Sequence, residues 1–202
     1  MSIMRVLGIK LSILLPVLFL SLTLFACGAD KDSDAWIENL NEGIALMDAG
    51  QMESALKEFE KIPSVSSDSF ALWNSYFWSG KANYELGIYG VATAYFTKAI
   101  DNYTGESNPT LHDLYLNRGR ARIEWLNSIS DGKSEGDREH LMNALSDFNF
   151  ALDQRNSGEA HFARATFWLI AGTLDPDYFK ETEIKAALDM EEAQKLSPWL
   201  FE

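Results

Sequence analysis

Cys27 is the single cysteine among 202 residues, so a disulfide framework and a multi-cysteine zinc site are excluded by arithmetic. His112, His140 and His161 fall in separate segments without a metal-ligand spacing. No phosphate-cradling Gly-rich loop, G-x-S-x-G elbow or H-E-x-x-H helix occurs. Glu181 with Glu183 and Glu191 with Glu192 read as solvated helix faces. The residue types therefore predict no catalytic centre, no metal and no cofactor. Ionic recognition is what remains. Lys81 and Arg120 are each followed four positions later by a carboxylate, Glu85 and Glu124. Either the two cations grip a carboxylate, a phosphate or an acidic side chain of a peptide, or they pair with those glutamates along their own helices.

The environment of Cys27 gives it a different chemistry. Arg5 and Lys10 form a positive start, and Leu11 to Ala26 is apolar apart from Ser12, Ser21 and Thr23. A small residue precedes the cysteine, and a polar stretch follows at residues 28–34. These are the parts of an export signal. Read as a membrane span, sixteen residues would reach roughly 24 Å at about 1.5 Å each, short of the roughly 30 Å hydrocarbon core, and Pro16 would weaken the helix. The string Leu24-Phe25-Ala26-Cys27-Gly28 resembles the lipobox of bacterial lipoproteins. That resemblance implies cleavage of residues 1–26 and acylation of Cys27. With Gly28 rather than Asp following, it also implies transport to the periplasmic face of the outer membrane. Two or three acyl chains hold a protein durably where one does not. Residues 27–34 would then be a short tether.

Removal of the leader takes 26 residues and two positive charges, leaving 176 of 202 residues and moving the formal charge from −13 to −15. Such a body is large enough for one domain with a real core. Its charge opposes nucleic acid, whose phosphates attract basic surfaces.

Two segments align without a gap. The first runs Trp36, Gly43, Gly50, Ala55, Phe59, Ile62 and the second Trp73, Gly80, Gly87, Ala92, Phe96, Ala99, each landmark recurring after 37 residues. The small residues predict close helix approach, Phe59 and Phe96 fill the space between neighbouring units, and Gly50 and Gly87 suit a left-handed turn. A third unit has Tyr115, Leu116 and Gly119 in its first helix and Ala144, Phe148 and Ala151 in its second. Its extra residues go into a first helix running from Thr110 past Trp125 and a polar loop from Ser128 to Asp137. Thr110 with Asp113 reads as a helix start. In the fourth, Ala160, Phe162 and Ala165 precede a stop near Gly172, Asp175-Pro176 marks a turn, and Ala186, Met190, Ala193 and Pro198 follow. Trp199, Leu200 and Phe201 are expected to fold back over the last pair.

This pattern resembles the tetratricopeptide repeat, whose unit is about 34 residues. The resemblance implies an all-α fold over residues 35–202, a right-handed α-solenoid of about four helix pairs at residues 36–68, 73–106, 110–156 and 157–202. It also implies a concave groove lined by the first helix of each pair. Carried over position by position, the groove would comprise Leu40, Ile44 and Met47, then Phe77, Lys81 and Tyr84, then Leu116, Arg120 and Ile123, and finally Phe162, Thr166 and Leu169. Leu40, Phe77 and Leu116 depart from the family's carboxylate clamp. The resemblance further implies a non-enzymatic, membrane-anchored periplasmic adaptor for a protein or extended peptide of the cell envelope. The alternative is a small-molecule-binding accessory of a solute transporter, with Trp73, Trp78, Trp125 and Trp168 around an enclosed cavity. A homo-oligomeric spacer joined through the terminal aromatics is a third possibility.

Overall fold

Two glycines set the rhythm of the chain. Gly50 and Gly87 have φ of +74° and +75° and end the first helices of two successive pairs. In each, backbone bonds close the helix end: Gly50 N donates to Met47 O and Gln51 N to Leu46 O, and Gly87 N donates to Tyr84 O and Ile88 N to Asn83 O. A Cβ at either position would meet nothing within 4 Å, so only backbone conformation demands glycine there. Gly87→Ala should accordingly cost about 1 kcal/mol, measurable by urea denaturation. A gain in stability would contradict the left-handed turn.

The structure is a computed structural model that describes residues 31–105, 109–129 and 134–202. Cys27 and the leader lie outside them. The described residues form eight α-helices and no strand: α1 Lys31–Asp48, α2 Met52–Val65, α3 Ser69–Glu85, α4 Tyr89–Asp101, α5 Leu111–Ile129, α6 Glu135–Gln154, α7 Gly158–Leu174 and α8 Thr182–Leu196. A 3-10 turn, Pro198–Phe201, follows. The all-α expectation holds. Among the described residues no helix is long and apolar enough to cross a membrane. Because α1 begins at Lys31, the end of the expected tether is helical. Once a helix is nucleated around the buried Trp36, each added residue gains a hydrogen bond at little cost.

Helices pack on their neighbours in the chain. Trp73 meets Tyr103, Phe77 meets Phe96 and Tyr84 meets Tyr89, so α3 and α4 run antiparallel. Across the next boundary Gly90 lies against Trp125 while Arg118 reaches Thr97, which makes α4 and α5 antiparallel too. Consequently α3 and α5 point the same way, and they touch, as do α5 and α7. The aligned Gly and Phe positions form one contact made three times. A Cβ on Gly43 would run into the Phe59 ring, one on Gly80 would lie 2.7 Å from Phe96, and one on Gly119 would lie 2.8 Å from Phe148. Each phenylalanine thus fills its own pair, under the glycine of the preceding helix. The Phe59 cluster also includes Ala71 and Ala82 of α3, so the ring serves the boundary between pairs as well.

Two expectations about the second half need correction. Ser134 caps α6 in a reciprocal box with Asp137, so the polar segment is shorter than Ser128 to Asp137 and the third pair absorbs its extra residues by lengthening both helices. The expected stop near Gly172 falls at Leu174, and the glycine itself is needed because the Thr182 side chain occupies the space of a Cβ. Of the terminal aromatics, Phe201 packs edge-on to Phe162 at 5.8 Å, whereas Trp199 is 59% exposed. Thr110 behaves as expected: its N–H and hydroxyl both donate to Asp113 Oδ2 at 2.8 Å.

A candidate ionic cleft between α3, α5 and α7

The parallel run of α3 and α5 brings Lys81 and Arg120, each the residue after a packing glycine, to the same level of one surface. They line a cleft of about 420 Å³ together with Tyr84, Glu85, Ile123 and Glu124 from the same two helices and Phe162 and Thr166 from α7. Half of the expected groove positions therefore meet here: Lys81, Tyr84, Arg120, Ile123, Phe162 and Thr166.

The others do not. Leu40, Ile44 and Met47 are half-buried against the cluster around Phe59. Phe77 and Leu116 belong to the core at 5% exposure each, a correction to their expected place in the groove. Three residues before the glycine, a helical side chain points back toward the N-terminus and under the following pair. Leu169 is exposed in a separate depression with Asn127 and Leu174. Sequence reasoning passed over Asn117 and Ala163, which also line the cleft. Asn117 lies one turn before Arg120 on α5, and that spacing was the available signal.

The charges in the cleft remain separate. Neither Lys81 nor Arg120 makes a hydrogen bond or an ion pair within 4.0 Å among the described residues, so the expected alternative of pairing with Glu85 and Glu124 is not realised. One reason is order. A carboxylate four residues before a cation is the favourable helical arrangement, and here each cation comes first. Another is a competing partner: the Lys81 ammonium lies over Trp78, 4.8 Å from the ring centroid, and 5.9 Å from that of Phe77. Burial draws Arg120 below its usual range, opposed by Tyr84 and Glu159. Burial likewise raises the Tyr84 phenol, with Glu124 adding to the rise and Arg120 opposing it. Arg120, half-buried and without a hydrogen-bonded acceptor among the described residues, and Lys81, held only over aromatic rings, both keep the capacity to bind an anionic group.

Other ionic residues are already spent on the scaffold. Arg118 donates to both oxygens of Asp147 at 2.7 and 3.0 Å, and Arg122 adds a third bond at 2.6 Å. The pattern recurs in the last pair, where Arg164 donates to Asp189 at 2.7 and 2.9 Å and His161 Nδ1 lies 2.8 Å away. Arg118 and Arg164 each precede the small packing residue, Gly119 or Ala165, and no such pair exists at Glu42 or Ser79 in the first two units. His112 donates from Nδ1 to Ala151 O at 2.8 Å and has Ser157 Oγ at 3.2 Å from Nε2, standing where Trp36 and Trp73 stand in earlier pairs. Among the described residues no group of acidic, His or Cys side chains is placed to hold a metal ion. Among the described residues the four tryptophans make separate contacts: Trp73 is in the core between Phe70 and Tyr103, Trp78 packs on Phe77 under Lys81, Trp125 stands on His140, and Trp168 lies under Lys185.

The two aspartates titrate in opposite senses. At Asp189 burial pushes the carboxyl up, but the bonds from Arg164 and His161 outweigh it and hold it below the ordinary value of about 3.9. Such a group binds its proton more weakly folded than unfolded, so its stabilisation is complete above the unfolded value and fades as pH falls through the folded one. At Asp147 burial prevails and the carboxyl is raised despite Arg118 and Arg122. Thermal melts from pH 5 down to about 2.5 should therefore show a steeper acid loss for the native chain than for Asp189→Asn. Equal slopes would assign the acid sensitivity elsewhere.

No protein-family model and no curated protein sequence matches this chain.

Proposed function

We propose that this chain is a tetratricopeptide-like, right-handed α-solenoid of four helix pairs, anchored to a bacterial envelope membrane by acyl chains on Cys27. In this reading it serves as a non-enzymatic adaptor that holds a protein or extended peptide in the cleft between α3, α5 and α7. The observation that carries the reading is the pair Lys81 and Arg120, set in register on parallel helices and without ion pairs among the described residues of an acidic protein. A bidentate guanidinium is suited to a carboxylate, and the aromatic walls at Tyr84 and Phe162 suit the apolar parts of a peptide. The contacts between first helices, α3 with α5 and α5 with α7, support stacking of like units. The residues around Cys27 support an anchor on the outer membrane's periplasmic face, and the acidic body makes nucleic acid a poor partner.

The test is crosslinking on intact membranes. A specific partner should be recovered with the native chain and lost with Lys81→Glu/Arg120→Glu, while Cys27→Ser should shift the chain to the soluble fraction. Unchanged recovery with the double variant would remove the cleft from the mechanism. A transporter accessory is the second reading, favoured by the cleft's size, which falls within the range of small-ligand sites.

A further inference from the structure

Resting on that reading of the cleft, we infer that the site is dipolar and takes a zwitterionic ligand, one whose anionic and cationic groups stand about one helical turn apart. Lys81 and Arg120 form one row across α3 and α5, and Glu85 and Glu124 form a second row four residues further along both helices. Four residues of helix advance about 6 Å, so a positive step and a negative step lie side by side in one cleft. Tyr84 lines the same cleft, and its phenol is raised by burial and by Glu124 and lowered by Arg120.

Two positive and two negative side chains line the same cleft, and the opposite charges along each helix are not joined. A simple anion would be drawn to the first row and repelled by the second, while Glu159 of α7 acts on Arg120 itself. A ligand with a carboxylate on the Arg120 side and an ammonium or guanidinium on the Glu124 side is matched to both. In an extended peptide, residues i and i+2 point to the same face about 6.6–7 Å apart, so an acidic residue, any residue and then a basic residue would fit the step. A free amino acid whose charges lie at similar distance presents the same chemistry without a chain.

The experiment uses the full-length chain in detergent at low ionic strength, titrated by calorimetry or NMR. The chain-borne probe is the end-blocked peptide Leu-Asp-Ala-Lys-Leu, with its Asp→Asn and Lys→Gln forms; the free probe is 4-aminobutanoate. The zwitterionic peptide should bind about tenfold more tightly than either singly charged form. Glu85→Gln/Glu124→Gln should abolish the advantage over the carboxylate-only peptide, and Lys81→Gln/Arg120→Gln the advantage over the ammonium-only one. Unchanged helical circular dichroism in both variants keeps the comparison interpretable. Preference for 4-aminobutanoate over every peptide would assign the dipole to a free ligand. If the carboxylate-only peptide binds as tightly as the zwitterion, and still depends on Lys81 and Arg120, the dipolar inference fails while the adaptor reading stands. If no probe binds and neither variant changes partner crosslinking, both fall.

Discussion

Phe96→Ala should lower the unfolding free energy by about 3–5 kcal/mol, the range for removing a fully buried phenylalanine. The ring has no solvent exposure, lies 6.0 Å from the Phe77 ring and occupies the space left by the absent side chain of Gly80. The same geometry gives the reciprocal variant its sign. Gly80→Ala would normally stabilise a helix by about 1 kcal/mol. Here the new Cβ would sit 2.7–3.0 Å from three atoms of an aromatic ring that cannot bend away, so a net loss of about 1–3 kcal/mol is expected. Combining Gly80→Ala with Phe96→Leu should cost less than the sum of the two changes, because the smaller side chain admits the methyl. Chemical denaturation measures all three. Additive costs, or a Phe96→Ala cost near zero, would show that ring and glycine do not form one packing unit.

The second large effect comes from Asp147. Its side chain is 3% exposed and holds two guanidiniums that are themselves 12% and 19% exposed, so Asp147→Ala leaves two largely buried cations facing an apolar gap. Removal of this carboxylate from between the two arginines should cost about 3 kcal/mol. Replacing Asp147, Arg118 and Arg122 together with Leu and Met should recover most of that loss, since the penalty comes from unmatched charge rather than from a strong net attraction. A triple variant no more stable than Asp147→Ala would mean that the network holds α5 to α6 by attraction. Neither variant alters the cleft's own cations, which separates a scaffold defect from a binding defect.

The distinction between these two kinds of cation was only half visible in the sequence. Lys81 and Arg120 could be found because each follows a packing glycine, and that glycine was found because small residues and phenylalanines recur at a fixed interval. Arg118 and Arg122 lie two residues to either side of Arg120, and nothing in the local string separates their roles. Helical geometry does so, since residues two apart point some 200° from each other. Arg118 and Arg122 turn toward α6 and meet Asp147, whereas Arg120 turns into the cleft. Phe77 and Leu116 were misassigned for the related reason that a register copied from a family gives a face but not the depth at which a side chain ends.

Local physics determined what the sequence alone could deliver. The helical character of residues 35–202 was readable, as were the glycine turns at Gly50 and Gly87, the Thr110 start and the small-residue and phenylalanine positions, because each depends on backbone preference or on periodicity within a few turns. Tertiary structure decided which charges find partners. Asp147 and Asp189 are 29 and 25 residues from Arg118 and Arg164 and were brought to them by helix pairing, while Lys81, Glu85, Arg120 and Glu124 form no ion pair among the described residues. Ion pairing depends on distances of a few ångströms between segments far apart in the chain, and those distances exist only once the helices have packed.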